Sequence, residues 1–452
     1  MNNKTDIFEN YPVPRALAVM AIPTIISQLI TLIYNMADTY FLGKTGNPYM
    51  VAACSLVLTI YMLSVTFSNI YGTGGGSLLS RLLGIKDEQE AEKVSMVSVW
   101  MALATAALFS LLIMAFEDPL LTLLGASENT RDFAKQYLLF VVGIGGIPTV
   151  MSMTLSNLIR SVGYSKEAAF GMSMGGVLNI ILDPIFMFVI LPDGMQVTGA
   201  ALATMISNIV SLAYFILVMI RIREHSVLKV SPRVGLPRAE SMTSLFNVGI
   251  PAGVSVLFFD LASIVANNRM AGHGDIALAA YGIVVKVERL PLNVGIGICL
   301  GMVPLIAYNY SAGNRKRMDS VFNWARVTGF GFAVLCVILY RIFSHQIMAI
   351  FINDEETVAL GTRFLQARCF ATPFMFLCFN MVHYFNALGR GKTSFVLALI
   401  RQMIFNIPIM LLLNAVFGMY GLIWTQMTAD ICTVAVSYLI YWRFRKREGG
   451  SL

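Results

Sequence analysis

The chain has 452 residues, 57% of them hydrophobic and 13% charged, with a formal net charge of +7. A soluble chain of this length would be about a quarter charged, so these proportions exclude an ordinary soluble domain and point to an integral membrane protein. The positive balance suits basic loops beside anionic lipid and requires no nucleic acid.

The first dozen residues are polar and include Asp6 and Glu9, without the basic stretch and short apolar run of a cleaved leader. Apolar runs long enough to cross a bilayer then follow at 14–43, 49–80, 94–116, 130–160, 166–191, 196–220, 241–268, 276–307, 320–348, 358–386, 394–416 and 420–443. In lipid a segment must satisfy its own backbone hydrogen bonds, so each run is expected to be a helix. The first holds Pro23, then Tyr34 one turn before Asp38, and the second holds Gly72, Gly74, Gly75 and Gly76. The fifth holds Asn179 one turn before Asp183, which precedes Pro184. The longest polar stretch, 221–240, separates the sixth run from the seventh, which contains Asp260. Gly295, Gly297, Gly301 and Pro304 make the eighth run the expected site of a bend, and Lys286, Glu288 and Arg289 form a partly wet, ion-paired segment of it. Asp430 lies in the twelfth run.

The runs repeat. Ile22-Pro23 matches Ile250-Pro251, Gly84 matches Gly313, and Pro148 matches Pro373. Gly163 with Lys166 matches Gly389 with Lys392, Pro184 matches Pro408, and Gly199 matches Gly421. Six spans return the chain to the side it left, so both copies insert in the same sense. The expected fold is therefore all-α: twelve transmembrane helices in two six-helix bundles related by a pseudo-two-fold axis along the membrane normal. The division is an N-terminal lobe at 1–220, a cytoplasmic linker at 221–240 and a C-terminal lobe at 241–452. Most Lys and Arg, among them Arg81, Arg160, Arg238, Arg317, Arg401 and Arg445, then fall on one side. That side is cytoplasmic by the positive-inside rule, with both termini there, in the cell membrane. A bundle of this size needs no partner, so a monomer is expected.

The copies differ in their acids. At the register of Asp38 the second copy has Ala266, and at that of Asp183 it has Ile407. A carboxylate in mid-membrane costs about 2.5–3.5 kcal/mol on insertion scales, which makes both acids functional candidates. Both fall in the outer halves of their helices, with Tyr34 and Asn179 on the same faces, and together they could hold H⁺ or Na⁺. The plain alternative for Asp183 is a helix cap before Pro184. Asp260 and Asp430 mark a second polar site, or groups paired with Arg269 or a hydroxyl. Pro23, Gly301 and Pro304 are the hinge candidates.

Other motifs carry little. Asn386-Ala-Leu-Gly-Arg-Gly391-Lys392-Thr393 lacks the first Gly and the strand of a phosphate-binding loop. His225, His273, His345 and His383 are scattered, the six Cys lack metal-ligand spacing, and no cofactor is expected beyond the coupling ion. No nucleophile–base constellation argues for an enzyme. The 27 Met and 29 Phe suit a cavity that accepts varied apolar cations.

Ile22-Pro23, Asp38-Thr-Tyr-Phe-Leu-Gly43, Asn157-Leu-Ile-Arg160-Ser-Val-Gly163, Asn179-Ile-Ile-Leu-Asp183-Pro184 and Gly199-Ala-Ala-Leu-Ala-Thr resemble the multidrug and toxic compound extrusion (MATE) transporters. Tyr308-Asn309-Tyr-Ser-Ala-Gly313 and Ala387-Leu388-Gly389 resemble the second-copy counterparts. The resemblance is to the DinF-like branch and covers essentially the whole chain. It implies efflux of amphipathic organic cations and drugs in exchange for H⁺ or Na⁺ by alternating access. It also implies ion binding at Asp38, Asn179 and Asp183, with Tyr137 and Asn157 beside them. The rival readings are a lipid-linked oligosaccharide flippase of related architecture, which needs several buried basic residues, and a membrane-embedded enzyme.

Overall fold

The computed structural model describes residues 6–352 and 354–447; Lys4 and the outermost ends of the two expected lobes fall outside that range. Among the described residues, eleven helices are long and apolar enough to cross a membrane, and a bent pair makes twelve. In chain order these are α1 (Val13–Lys44), α2 (Pro48–Gly84), α3 (Glu88–Ala115), α4 (the pair Glu128–Ile144 and Gly146–Ser161), α5 (Ser165–Ile190), α6 (Gln196–Ile222), α7 (Ala239–Ala271), α8 (Asp275–Ser311), α9 (Arg315–Phe351), α10 (Glu355–Ala387), α11 (Gly391–Phe417) and α12 (Met419–Arg447).

Local chemistry sets the boundaries. Asn47 accepts from the Tyr49 N–H at 3.0 Å, Asn314 from Arg317 N–H at 3.1 Å, and Asp354 from Thr357 N–H at 2.9 Å, each satisfying an otherwise orphaned donor of a first turn. Gly163, Gly313 and Gly389 close helices with positive φ of 96°, 74° and 75°, which a side chain would strain. The repeat thus reuses the same turn chemistry in both copies.

Packing repeats as well. Helix α2 contacts α3 and α4 as α8 contacts α9 and α10; α1 contacts α5 as α7 contacts α11; α5 contacts α6 as α11 contacts α12. Between the two sets, α2 packs on α7 and α8, and α1 packs on α8. These crossings depend on small residues. A Cβ on Gly249 would lie 2.0 Å from the Ile70 carbonyl oxygen, and one on Gly301 would lie 2.6 Å from the Ala21 Cα. The crossings use the beginnings of α1 and α7 and the latter parts of α2 and α8. They therefore lie toward the face that carries Arg81, Lys86, Arg315 and Lys316, here called the basic face.

Two segments outside the spans bind that face. The short helix Asp6–Glu9 precedes α1 but docks on α8 and α9. Phe8 is fully buried and stacks on Tyr308 at 5.1 Å. Arg317 donates to the carbonyls of Phe8 at 2.6 Å, Tyr11 at 2.6 Å and Ile7 at 3.3 Å, and the Tyr308 hydroxyl donates to Glu9. The linker before α7 is tied to α3. Ser95 binds Lys229, and the buried Glu90 accepts from the Arg238 N–H at 2.7 Å and the Ser241 hydroxyl at 2.6 Å.

The structure revises the expected bend. Helix α8 is continuous through Pro291, Gly301 and Pro304, and its glycines serve as close-approach points. The 47° break lies in α4, at Gly145. Three π-helical turns, Leu139–Ile144, Phe186–Ile190 and Ile400–Asn406, widen α4, α5 and α11. Pro23 lies within α1.

Candidate ion and substrate site

Helix α1 reaches α5 through Gly176, whose lack of a side chain admits Ile30 and Tyr34; a Cβ there would meet them at 2.9 and 3.2 Å. The approach brings the face bearing Tyr34 and Asp38 against the face bearing Asn179 and Asp183. Asp183 is fully buried and Asn179 nearly so, and Asp38 is half-buried. Asp183 lies inside the helical run Ser165–Ile185, three residues before the π turn of α5, so it does not cap a helix. The Asn179 amide donates to Asp183 Oδ1 and to Thr204 Oγ1, both at 3.3 Å. Asp38 lies within electrostatic range of Asp183, Tyr34 and Tyr137. Tyr137 is buried among Leu42, Met50, Met187 and Val197.

One oxygen on each acid, Asp38 Oδ1 and Asp183 Oδ2, is buried without a hydrogen-bond partner, as is Asn179 Oδ1. Neither acid has an ion-pair partner among the described residues. Three acceptor oxygens of this group are thus buried without a donor from the protein. Buried acceptors are normally paired, so the arrangement suits a proton, a metal cation or a donor group on a substrate. Tyr61 and Thr204 also border this group; composition gave no reason to single them out.

Asn157 is not part of it. It lies beyond the α4 break, roughly 25–30 Å of helical rise from Tyr137, where it accepts from Arg160 at 2.8 Å. The sequence pattern expects Arg160 and Arg401 at the inner surface, yet both are buried.

The second-half acids behave differently. Asp430 is fully buried and receives Arg401 through Nε at 2.7 Å and Nη2 at 3.2 Å, with Gln426 at 2.8 Å. Glu288 pairs with the buried Arg368 at 2.8 Å instead of with Lys286 or Arg289, which are exposed. Asp260 is near Arg289, not Arg269, and its Oδ2 has no partner. Glu288, Arg289, Arg368, Gln402 and Gln426 border a cavity of about 120 Å³ in this half. The six Cys are free, and no metal-ligand cluster occurs among the described residues.

A doubled helical membrane fold with buried, unpaired carboxylates is the architecture of a transporter. The family model MatE matches residues 23–185 and again 251–412, and the chain belongs to the MATE family. It is 30% identical over 435 residues to the multidrug export protein MepA of Staphylococcus aureus (strain MSSA476), covering 96% of this chain and 95% of that protein. The Staphylococcus saprophyticus MepA is similar to the same extent, at 30% over 435 residues with the same coverage. Among solved structures, an outward-facing multidrug resistance MATE family transporter of the MOP superfamily superposes with TM-score 0.92 at 20% identity, covering 98% of each chain. The bent form of Vibrio cholerae VcmN superposes with TM-score 0.87 at 22% identity, covering 96% of this chain and 98% of that one. The protein is accordingly a secondary transporter and not an enzyme.

Proposed function

We propose that the protein exports amphipathic organic cations across the cell membrane in exchange for inward H⁺ or Na⁺, with Asp38 and Asp183 as the coupling carboxylates. Asn179, Tyr34 and Tyr137 shape their pocket. The observation that carries this reading is the pair of neighbouring acids, each with a buried oxygen lacking a partner and neither facing a basic side chain. Two desolvated carboxylates at close range repel, and a proton, Na⁺ or substrate cation relieves that repulsion. Ion and drug then compete for the same charge, which is what exchange requires.

The halves 1–220 and 241–452 act as rocking lobes joined by the linker 221–240, with the basic face and both termini in the cytoplasm. The contacts between α1 or α2 and α7 or α8 support a state closed at that face and open to the outside. The chain works as a monomer in lipid. Arg368 and Arg401 argue against the flippase reading, since each is committed to an acid and unavailable to a pyrophosphate.

The experiment is efflux of a fluorescent cation from proteoliposomes with pH and Na⁺ gradients imposed separately. Asp38→Asn and Asp183→Asn should each abolish gradient-driven export. Full transport in both variants would end this assignment.

A further inference from the structure

Each half holds acids in the membrane, and in the second half two of them, Glu288 and Asp430, are ion-paired with buried arginines. Asp430 Oδ1 accepts Arg401 Nε, and Oδ2 accepts Arg401 Nη2 and Gln426 Nε2. The Gln426 oxygen in turn accepts from Asn406 at 3.0 Å. No oxygen of this carboxylate is left without a partner. Arg401 is held from its other side by the Phe379 ring, 4.6 Å from the guanidinium carbon. Its placement depends on the π turn Ile400–Asn406, which puts Arg401, Gln402 and Asn406 in the interior together. The Glu288–Arg368 pair lies within electrostatic range of both Arg401 and Asp430. Asp260 lies within electrostatic range of Arg289, forms no ion pair among the described residues, and keeps one buried oxygen without a partner.

A bidentate guanidinium at these distances leaves a carboxylate little to gain from a mobile cation. In the first half, Asp38 Oδ1 and Asp183 Oδ2 are buried without a partner, and neither acid forms an ion pair with Arg or Lys among the described residues.

We propose that Arg401 limits the ion stoichiometry of exchange: as a tethered counterion it occupies Asp430 permanently, so that Asp430 contributes no ion to the cycle. The inference rests on the coupling role proposed for the first-lobe acids and deepens it. Arg401 is a specificity-determining residue that touches neither drug nor coupling ion. It acts by making one acid unavailable.

The test uses the full chain in proteoliposomes with a fluorescent organic cation. The limiting substrate ratio is measured against the imposed H⁺ or Na⁺ ratio. Arg401→Gln frees Asp430 to take a mobile ion and should steepen that dependence. One additional ion per cycle multiplies the limiting ratio about tenfold at a tenfold gradient. The double variant Arg401→Leu with Asp430→Leu should keep the wild-type slope, because it removes an acid that never exchanged its ion. It also guards against misfolding of the single variant, since a lone buried charge is strongly destabilising whereas an apolar replacement of both partners is tolerated.

A folded Arg401→Gln protein with the wild-type slope overturns the proposal. So does a double variant that is monodisperse and binds substrate but has lost coupling. Retained coupling in Asp38→Asn and Asp183→Asn would strike the first-lobe reading instead, so the two failures are separable.

Discussion

Alternating access requires the basic face to open, and the segment that precedes α1 stands in the way. It belongs covalently to the first half yet is held by α8 and α9 of the second. Arg317→Ala removes three hydrogen bonds from one guanidinium to the carbonyls of Ile7, Phe8 and Tyr11. Each contributes about 0.5–1.5 kcal/mol net. Discounted for partial exposure, the sum is about 2 kcal/mol, or roughly a thirtyfold shift toward the state open at the basic face. A population of about 1% in that state would rise to about a quarter. The assay is a distance distribution between spin labels at Lys86→Cys and Lys316→Cys, both exposed on the basic face. Five of the native cysteines are buried and Cys432 is half-buried. The longer distance should grow in Arg317→Ala, and more so in Phe8→Ala, which empties a fully buried position against Tyr308. An unchanged distribution in both variants would refute the idea that this segment restrains the lobes.

Other perturbations follow from the same contacts. Gly249→Ala places a Cβ 2.0 Å from the Ile70 carbonyl oxygen, so α7 must move off α2; thermal unfolding in detergent should shift lower and the basic face should label faster. Glu90→Gln weakens the buried tie to Arg238 and Ser241, with an expected loss of about 1–3 kcal/mol visible as earlier unfolding and faster proteolysis of the linker. Asp87 sits in the same tie: burial opposes its ionisation, but the Glu90 N–H and Arg238 outweigh it and hold the carboxyl below its ordinary value of 3.8. A depressed folded value means the contribution is full above the unfolded range and lost only as pH falls below it. Linker proteolysis in the wild type should therefore stay constant from neutral pH to about 5. Asn157→Ala should lower stability through Arg160 while leaving ion stoichiometry unchanged, as measured in proteoliposomes.

Much of the fold was legible because membrane physics leaves few choices. Apolar length gave the spans, and the recurrence of Pro and Gly gave the doubling that the family model matches at 23–185 and 251–412. The bend was not legible. Gly301 and Pro304 have the composition of a hinge, yet Gly301 is needed for backbone approach to Ala21, and α8 stays continuous around it. The actual break at Gly145 follows a π turn, and π turns leave no periodic trace in a sequence.

The same blind spot shaped the reading of the site. The helical spacing of Tyr34 with Asp38 and of Asn179 with Asp183 survives because local geometry alone dictates it. A basic residue ten positions after the first residue of α11 looks like a surface anchor, whereas about 15 Å of helix carries Arg401 into the interior. There it changes the meaning of Asp430. Counting acids makes the halves look alike in charge; pairing each acid with its nearest base separates them. Among the described residues Asp38 and Asp183 of the first half have no ion pair, whereas in the second half Asp430 is bound by Arg401 and Asp260 keeps one oxygen without a partner. On the coupling role proposed for Asp38 and Asp183, the acids that exchange an ion are those without a fixed counterion, and a membrane protein tolerates the cost of burying them where an exchangeable ion offsets it.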